Sequence, residues 1–268
     1  MISLSFTGLE IYKSCRSVLA GIKRNIYKIL IRLINTISMF RILILCLTWL
    51  TLNLFSLKAQ EYVPKPDLPV EASISHGSND ELIIYITGDG GWNTFNGQLV
   101  NQMEHLGYGV VALNSRKYFW SMKSPEIFAK DIEQLTKYYL AFWKKSTVII
   151  VGYSFGADVA SFLPGLLTEE LKNKIKQIVL ISPSASTDFV IRISDLVGET
   201  ENTNRRYLVK PEIDQIGLPV ICTFGKAEAK VLKTTFAIRK NLTTITLEGD
   251  HRYNNDFKLL IKTIGMKQ

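Results

Sequence analysis

The residues with the types and spacing for acyl-transfer chemistry are a serine between glycines, a late histidine and a carboxylate between the two. Val148-Ile149-Ile150-Val151 runs straight into Gly152-Tyr153-Ser154-Phe155-Gly156 and then Ala157-Asp158. An apolar strand that turns through Gly-x-Ser-x-Gly into a helix lifts the serine hydroxyl clear of the sheet. The small flanking residues let strand and helix approach closely around it. A serine hydroxyl is a weak nucleophile until a base takes its proton, so the motif requires a histidine further along and an acid to orient it. The chain has three histidines. His105 stands at a helix end, before Leu106-Gly107-Tyr108, and His76 precedes the first core strand. His251, in Gly249-Asp250-His251 after the last strand, is the expected base.

For the acid the first choice is Glu228, three residues past Gly225 in the loop after the penultimate strand. Asp188, after the preceding strand, and Asp250, adjacent to the histidine, are the alternatives. An oxyanion hole needs two backbone N–H donors. Phe155, directly after the serine, supplies one. Asp89 or Gly90, in Gly88-Asp89-Gly90-Gly91-Trp92, supplies the other. That glycine loop lacks the Lys-Ser/Thr of a phosphate-binding loop and the spacing of a dinucleotide fingerprint. Asp158 lies one helical turn past Ser154, where it either meets a cationic substrate group or braces the loop beside Trp92, the other candidate substrate contact. Three scattered histidines and one core cysteine make no metal-ligand set, and the chemistry calls for no cofactor.

The elements that must position these groups read as alternating strands and helices. Apolar strands are expected at Leu82–Thr87, Tyr108–Asn114, Thr147–Tyr153, Gln177–Ser182, Leu218–Phe224 and Leu242–Glu248. Helices are expected at Phe95–His105, from Ser124-Pro125-Glu126 to about Trp143, from the elbow to Leu163 where Pro164 ends it, at Thr168–Lys174, from Gly225 to about Arg239, and at Phe257–Met266. Continuous apolar strands between helices predict a mostly parallel sheet with helices on both faces. With the chain order serine, acid, histidine, this is the α/β-hydrolase pattern, with a small or absent cap. Residues 185–216 form an irregular excursion too short for a second domain.

The 268 residues carry a formal net charge of +8, but residues 1–59 hold eight Lys/Arg and one acid, a net of +7. Residues 60–268 hold 24 basic and 23 acidic side chains. The folded part therefore lacks the basic footprint of a nucleic-acid binder. Residues 1–59 read as a leader, with the apolar run Ile42–Leu57 after Met39-Phe40-Arg41. At about 1.5 Å per residue that run spans roughly 24 Å, short of a ~30 Å hydrocarbon core. It reads as a signal peptide cut after Ala59, with an uncleaved anchor as the alternative and translation starting at Met39. A competing reading makes Ile22, Ile26, Ile29, Leu33 and Ile37 the apolar face of a basic amphipathic helix. Residues 60–80, with Pro64, Pro66 and Pro69, form a linker, and 81–268 the catalytic domain. Cys15 and Cys46 fall in the leader, leaving Cys222 as a lone buried cysteine without a bridging partner.

Taken in order, Gly88-Asp89-Gly90-Gly91-Trp92, Tyr118-Phe119-Trp120 before Ser124-Pro125-Glu126, the elbow Gly152–Asp158 and Gly249-Asp250-His251 resemble the VirJ/AcvB family of bacterial virulence proteins. The resemblance implies a periplasmic α/β-hydrolase domain that removes the aminoacyl group from lysyl-phosphatidylglycerol, with links to type IV secretion proteins as partners. It carries the nucleophile to Ser154, the base to His251 and the acid to Glu228. A phospholipid substrate places the enzyme at a membrane surface. Phe189, Val190, Ile191, Ile193 and Leu196 in the excursion then either rest on that surface or pack over the sheet. A cationic lysyl head asks for a nearby carboxylate, for which Asp89, Asp158 and Asp188 are candidates. Two other readings are a binding or assembly factor without catalysis and a general lipase or thioesterase.

Overall fold

The computed structural model describes residues 8–55, 65–74, 79–192, 205–228 and 239–266. His76, Ala59, Ile193, Leu196 and the helix expected between Gly225 and Arg239 lie wholly or mostly outside those residues. The chain divides into two compact units, Met1–Tyr62 and Val63–Gln268.

The first unit is one helix, α1 (Gly8–Phe55). Within it, the 27-residue stretch Lys23–Trp49 contains an 18-residue window with a mean hydropathy of 2.0 and no buried residue. At 1.5 Å per residue that stretch is about 40 Å long, enough to cross a membrane by length and composition. The apolar stretch therefore begins well before Ile42. Lys23, Arg24, Lys28, Arg32 and Arg41 interrupt it, with Asn35, Thr36 and Ser38 between the last two. Signal sequences and membrane anchors share this character.

In the second unit seven strands form one sheet: β1 (Val70–Ile74), β2 (Glu81–Ile86), β3 (Gly109–Leu113), β4 (Thr147–Tyr153), β5 (Ile175–Ile181), β8 (Val220–Gly225) and β9 (Leu242–Leu247). Their order is β1-β3-β2-β4-β5-β8-β9, and every pairing is parallel except β1 with β3. Successive side chains of β2 enter different cores: Leu82, Ile84 and Ile86 one, Ile83 and Tyr85 the other. That is why the strands are apolar without alternation. Helix α4 (Pro125–Phe142) covers the first face through Phe128, Ile132 and Leu135. Helices α2 (Thr94–His105) and α9 (Phe257–Thr263) cover the second. Ser124 caps α4 by accepting from the Ile127 N–H at 3.2 Å, with Pro125 in the first turn. Among the described residues the buried hydrophobic side chains fall between Leu82 and Met266, so the second unit holds a core of its own.

Several elements differ from expectation. Strand β1 lies within the stretch read as linker; it is a half-exposed edge strand whose composition carries little pattern. The elbow helix α5 (Phe155–Ala160) is shorter than expected. Pro164 stands in the first turn of a new short helix, α6 (Leu163–Leu166), where its missing N–H leaves no bond unmade. Short helix α3 (Ser115–Tyr118) follows β3, and α7 (Glu169–Lys172) follows α6. The excursion after β5 contains a two-stranded antiparallel ladder, β6 (Ser186–Thr187) with β7 (Tyr207–Leu208), and helix α8 (Val209–Gln215). Cys222 is buried in β8, and burial pushes its thiol up to about 12.

Candidate active site

Strand β4 delivers Ser154 at the centre of the sheet. Its backbone has φ 53° and ψ −124°, a conformation that non-glycine residues rarely occupy. Such strain costs on the order of 1–3 kcal/mol and persists only where the surroundings impose it. Here the Ser154 N–H donates to Ile181 O at 2.8 Å, and Ser154 O accepts from the Ala157 and Asp158 N–H groups. The turn closes because Gly156 has no side chain. A Cβ there would stand 2.1 Å from Ile86 O and 2.5 Å from Thr87 O.

His251 reaches the elbow from the loop after β9. The Tyr153 hydroxyl donates to His251 O at 3.2 Å, and the two rings lie 5.3 Å apart. Gly225 makes room for this loop, since a Cβ there would lie 2.2 Å from Asp250 O. The His251 Nδ1 and Glu228 Oε2 atoms are 2.7 Å apart. That contact assigns the proton of a neutral imidazole to Nδ1 and leaves Nε2 as the acceptor. The histidine side chain is 47% exposed, while Glu228 is more enclosed. Burial pushes Glu228 up, but bonds from His251, Ser182 and the Gly225 N–H outweigh it and hold the carboxyl below its ordinary value. Burial pushes His251 down, but Glu228, Asp89 and Asp158 together outweigh it and raise the imidazole above its ordinary value. Among the described residues no hydrogen bond joins Ser154 Oγ to His251.

Glu228 is itself held by residues that sequence reasoning missed. Its Oε1 accepts from Ser182 Oγ and from the Gly225 N–H, the latter at 2.8 Å. Ser182 Oγ is also 2.6 Å from the Tyr253 hydroxyl, which lies 3.0 Å from Thr223 Oγ1. Ser182 has φ 54°, a second non-glycine residue held left-handed at a strand end. The available signals were Ser182-Pro183 directly after a strand and Tyr253 two residues past the histidine, since a buried tyrosine needs a partner for its hydroxyl.

The glycine loop after β2 stands beside the serine: a Cβ on Gly88 would lie 3.4 Å from Ser154 Cβ. Buried Asn96 anchors it, donating to Gly91 O at 2.8 Å and accepting from the Tyr85 hydroxyl. Within this loop the Gly90 N–H is taken by its neighbour Asp89 Oδ1 at 2.8 Å. The Asp89 and Phe155 N–H groups have no partner among the described residues. Of the two residues expected to supply the second donor, Asp89 has the N–H to spare and Gly90 does not.

The remaining candidates lie elsewhere. Both carboxylate oxygens of Asp158 are engaged by Ser184, Oδ1 by its N–H at 2.6 Å and Oδ2 by its hydroxyl. Asp158 is 4% exposed, and burial pushes it up to about 7 against the opposing Ser184 bonds, Arg205 and His251. It therefore braces Ser184 rather than the loop beside Trp92, and presents no face to a substrate. Asp188 accepts from Arg192 Nη1 and the Arg206 N–H, both at 2.9 Å, and is not joined to His251. Asp250 turns its Oδ1 to the Arg252 N–H at 2.8 Å. Trp92 is exposed on the glycine loop. Phe189 and Ile191 are buried in the core against Phe119, Phe128 and Phe162, so packing over the sheet, not surface contact, is what these two do. No group of metal-ligating side chains occurs among the described residues.

Among solved structures, the α/β-hydrolase fold seen here is shared with the enol-lactonase from Burkholderia xenovorans LB400, at a TM-score of 0.53 and 14% identity over 75% of this chain and 98% of that one. MenH from S. aureus matches at 0.53 and 11%, over 73% of this chain and 97% of that one. Est1E from Butyrivibrio proteoclasticus, solved with ferulic acid bound, matches at 0.50 and 14%, over 76% and 95%. At these identities the likeness is one of fold. Comparison by sequence with curated proteins finds no match. Over residues 80–267, a span that contains Ser154, Glu228 and His251, the sequence matches the family described as bacterial virulence protein (VirJ), and the chain belongs to that family.

Proposed function

We propose that the protein is an exported serine hydrolase that cleaves an acyl or aminoacyl ester, with lysyl-phosphatidylglycerol as substrate. The observation that carries the reading is the 2.7 Å contact of His251 Nδ1 with Glu228 Oε2 beside the Ser154 elbow. In the reaction His251 Nε2 takes the proton from Ser154 Oγ as that oxygen attacks the ester carbonyl carbon. The Phe155 and Asp89 N–H groups receive the charge that develops on the carbonyl oxygen. Collapse breaks the ester C–O bond, and the imidazolium gives its proton to the departing phosphatidylglycerol oxygen. Water, deprotonated by the same histidine, then releases lysine from Ser154. The Asp89 carboxylate, whose field reaches His251, is placed to meet the lysyl ammonium.

Membership of the VirJ family supports this substrate class, and helix α1 supports export to the periplasm. The second reading is a binding or assembly factor for a secretion system. It is favoured by the lack of a Ser154–His251 hydrogen bond among the described residues, although such bonds are often long before substrate binds. The test is release of free lysine from lysyl-phosphatidylglycerol in detergent micelles by residues 63–268, followed by mass spectrometry. The expected result is lysine and phosphatidylglycerol in equal amounts, with Ser154→Ala inactive. Hydrolysis of a short soluble ester without lysine release would remove the lipid substrate, and turnover of neither would favour the binding factor.

A further inference from the structure

The large apolar side chains left exposed on the second unit are unevenly placed. Among the described residues they are Trp92, Trp120, Met122, Ile127, Phe142, Leu166, Leu208 and Leu259, and five of these eight come from segments that follow the C-terminal ends of β2, β3 and β5. In a parallel sheet all such segments lie at one end, which is the end where β4 delivers Ser154. Trp120, Met122, Ile127 and Leu208 are each more than half exposed.

Contacts join these segments into one surface. The Lys123 N–H donates to Phe189 O, and the Ile191 N–H to Phe119 O, both at 2.9 Å, so the Trp120–Met122 turn runs beside the excursion. Leu208 pairs with Ser186 in the small ladder, next to the Ser184 that Asp158 holds. Glu126, adjacent to Ile127, is within electrostatic reach of Arg206.

Cations are interleaved with the apolar side chains. Arg116 and Lys117 are exposed on the same β3 segment as Trp120. Lys123 Nζ lies 5.2 Å from the centre of the Tyr118 ring, and the Arg206 guanidinium 5.3 Å from that of Tyr207. Of the acids nearby, Glu126 is within reach of Arg206, Asp131 accepts from the Tyr118 hydroxyl, and Asp188 is held by Arg192 and by the Arg206 N–H, which leaves Arg116, Lys117 and Lys123 in excess. The opposite end of the sheet differs: Lys174 faces Glu170 and Lys176 faces Glu81, with no exposed tryptophan among the described residues.

Exposed tryptophan with methionine and leucine, ringed by more cations than acids, suits the interface of a bilayer that carries anionic phospholipid. We infer that Trp120, Met122, Ile127 and Leu208, with Arg116, Lys117, Lys123 and Arg206, form a docking surface for an anionic membrane, which holds Ser154 against the headgroup layer. The purpose of that docking rests on the proposed function, because a lipid ester is cleaved without leaving the bilayer only if the enzyme sits on it. The surface is built from different residues than the excursion's Phe189 and Ile191, which are core.

The experiment is flotation of residues 63–268 with vesicles of equimolar phosphatidylglycerol and phosphatidylcholine at low salt, against vesicles of phosphatidylcholine alone. The domain is expected to bind the anionic vesicles and to leave them as salt rises. Trp120→Ala with Met122→Ala is expected to weaken binding at least about tenfold. Lys117→Gln with Lys123→Gln should weaken it about fivefold per charge. Lys174→Gln with Lys176→Gln, the same charge loss at the opposite end, should bind as the parent does. Circular dichroism and Tm are measured for each variant. No binding by the parent, full binding by the folded Trp120/Met122 variant, or equal loss in the Lys174/Lys176 control would overturn the inference. Vesicle binding needs no turnover, so the two ideas fail separately. Binding without lysine release removes the function, and lysine release in micelles without vesicle binding removes the docking surface.

Discussion

Replacing Glu228 with glutamine is expected to lower kcat/KM about 10³–10⁴-fold while the protein stays folded. The amide matches the carboxylate in shape and keeps an oxygen to accept from Ser182 and the Gly225 N–H, as Oε1 does now. It then turns an NH₂ toward His251 Nδ1, the atom that faces Oε2 in the native chain. Facing a donor, Nδ1 becomes the acceptor and the ring proton moves to Nε2, where it blocks removal of the serine proton. The pH profile adds an independent sign. His251 must be neutral to act as base, so the rate is full above its pKa and is lost as pH falls through it. Burial lowers that pKa, and Glu228 with Asp89 and Asp158 together raise it by more, so the native inflection lies above the ordinary histidine value. Without the Glu228 charge the main opposition to burial is gone, and the residual activity of Glu228→Gln should show its inflection at lower pH. Wild-type turnover with an unmoved inflection would remove Glu228 from the acid role and return the choice to Asp188 or Asp250.

The second large effect is on folding. Gly156→Ala puts a methyl carbon 2.1 Å from Ile86 O and 2.5 Å from Thr87 O, and both obstacles are backbone in the middle of the sheet. Neither can rotate aside as a flexible side chain would. The strand and elbow helix must separate, costing at least about 3 kcal/mol. For a domain of this size that is a fall in Tm of about 6–12 °C, read by thermal unfolding of residues 63–268. A Tm within a degree or so of the parent would mean that the close approach of α5 to β2 is not needed.

The architecture was readable because each strand of the sheet's centre is an uninterrupted apolar run, which only a two-sided parallel sheet requires. Strand β4 matches its expected bounds, Thr147–Tyr153. Strand β1 escaped because a half-exposed edge strand, with Glu71 and Ser73 among its five residues, carries neither an apolar run nor a clean alternation. The site divides along the same line. Ser154 and His251 announce themselves by local motifs. Glu228 was first among three carboxylates, and what sets it apart, the approach of the β8 and β9 loops over Gly225, is a tertiary fact. Ser182, Thr223 and Tyr253 come from three separate segments, so no spacing in the chain links them. From sequence alone Asp158 reads as meeting a substrate cation or bracing the loop beside Trp92, because the sequence cannot show that Ser184 folds over it. The same blindness applies to apolar loop residues. Phe189 and Ile191 were candidates for membrane contact and are core, while Trp120 and Met122, within and beside an aromatic cluster, are the ones exposed.

The central claim is that Ser154 is an activated nucleophile, and fluorophosphonate labelling tests it most directly. The reagent bonds to a serine oxygen only where a base and an oxyanion hole assist, so it reports the assembled site without assuming a substrate. The account predicts stoichiometric labelling of residues 63–268 on the peptide containing Ser154, abolished in Ser154→Ala and strongly slowed in Glu228→Gln. A folded protein that takes up no label, or a Ser154→Ala variant that labels as well as the parent, would contradict it.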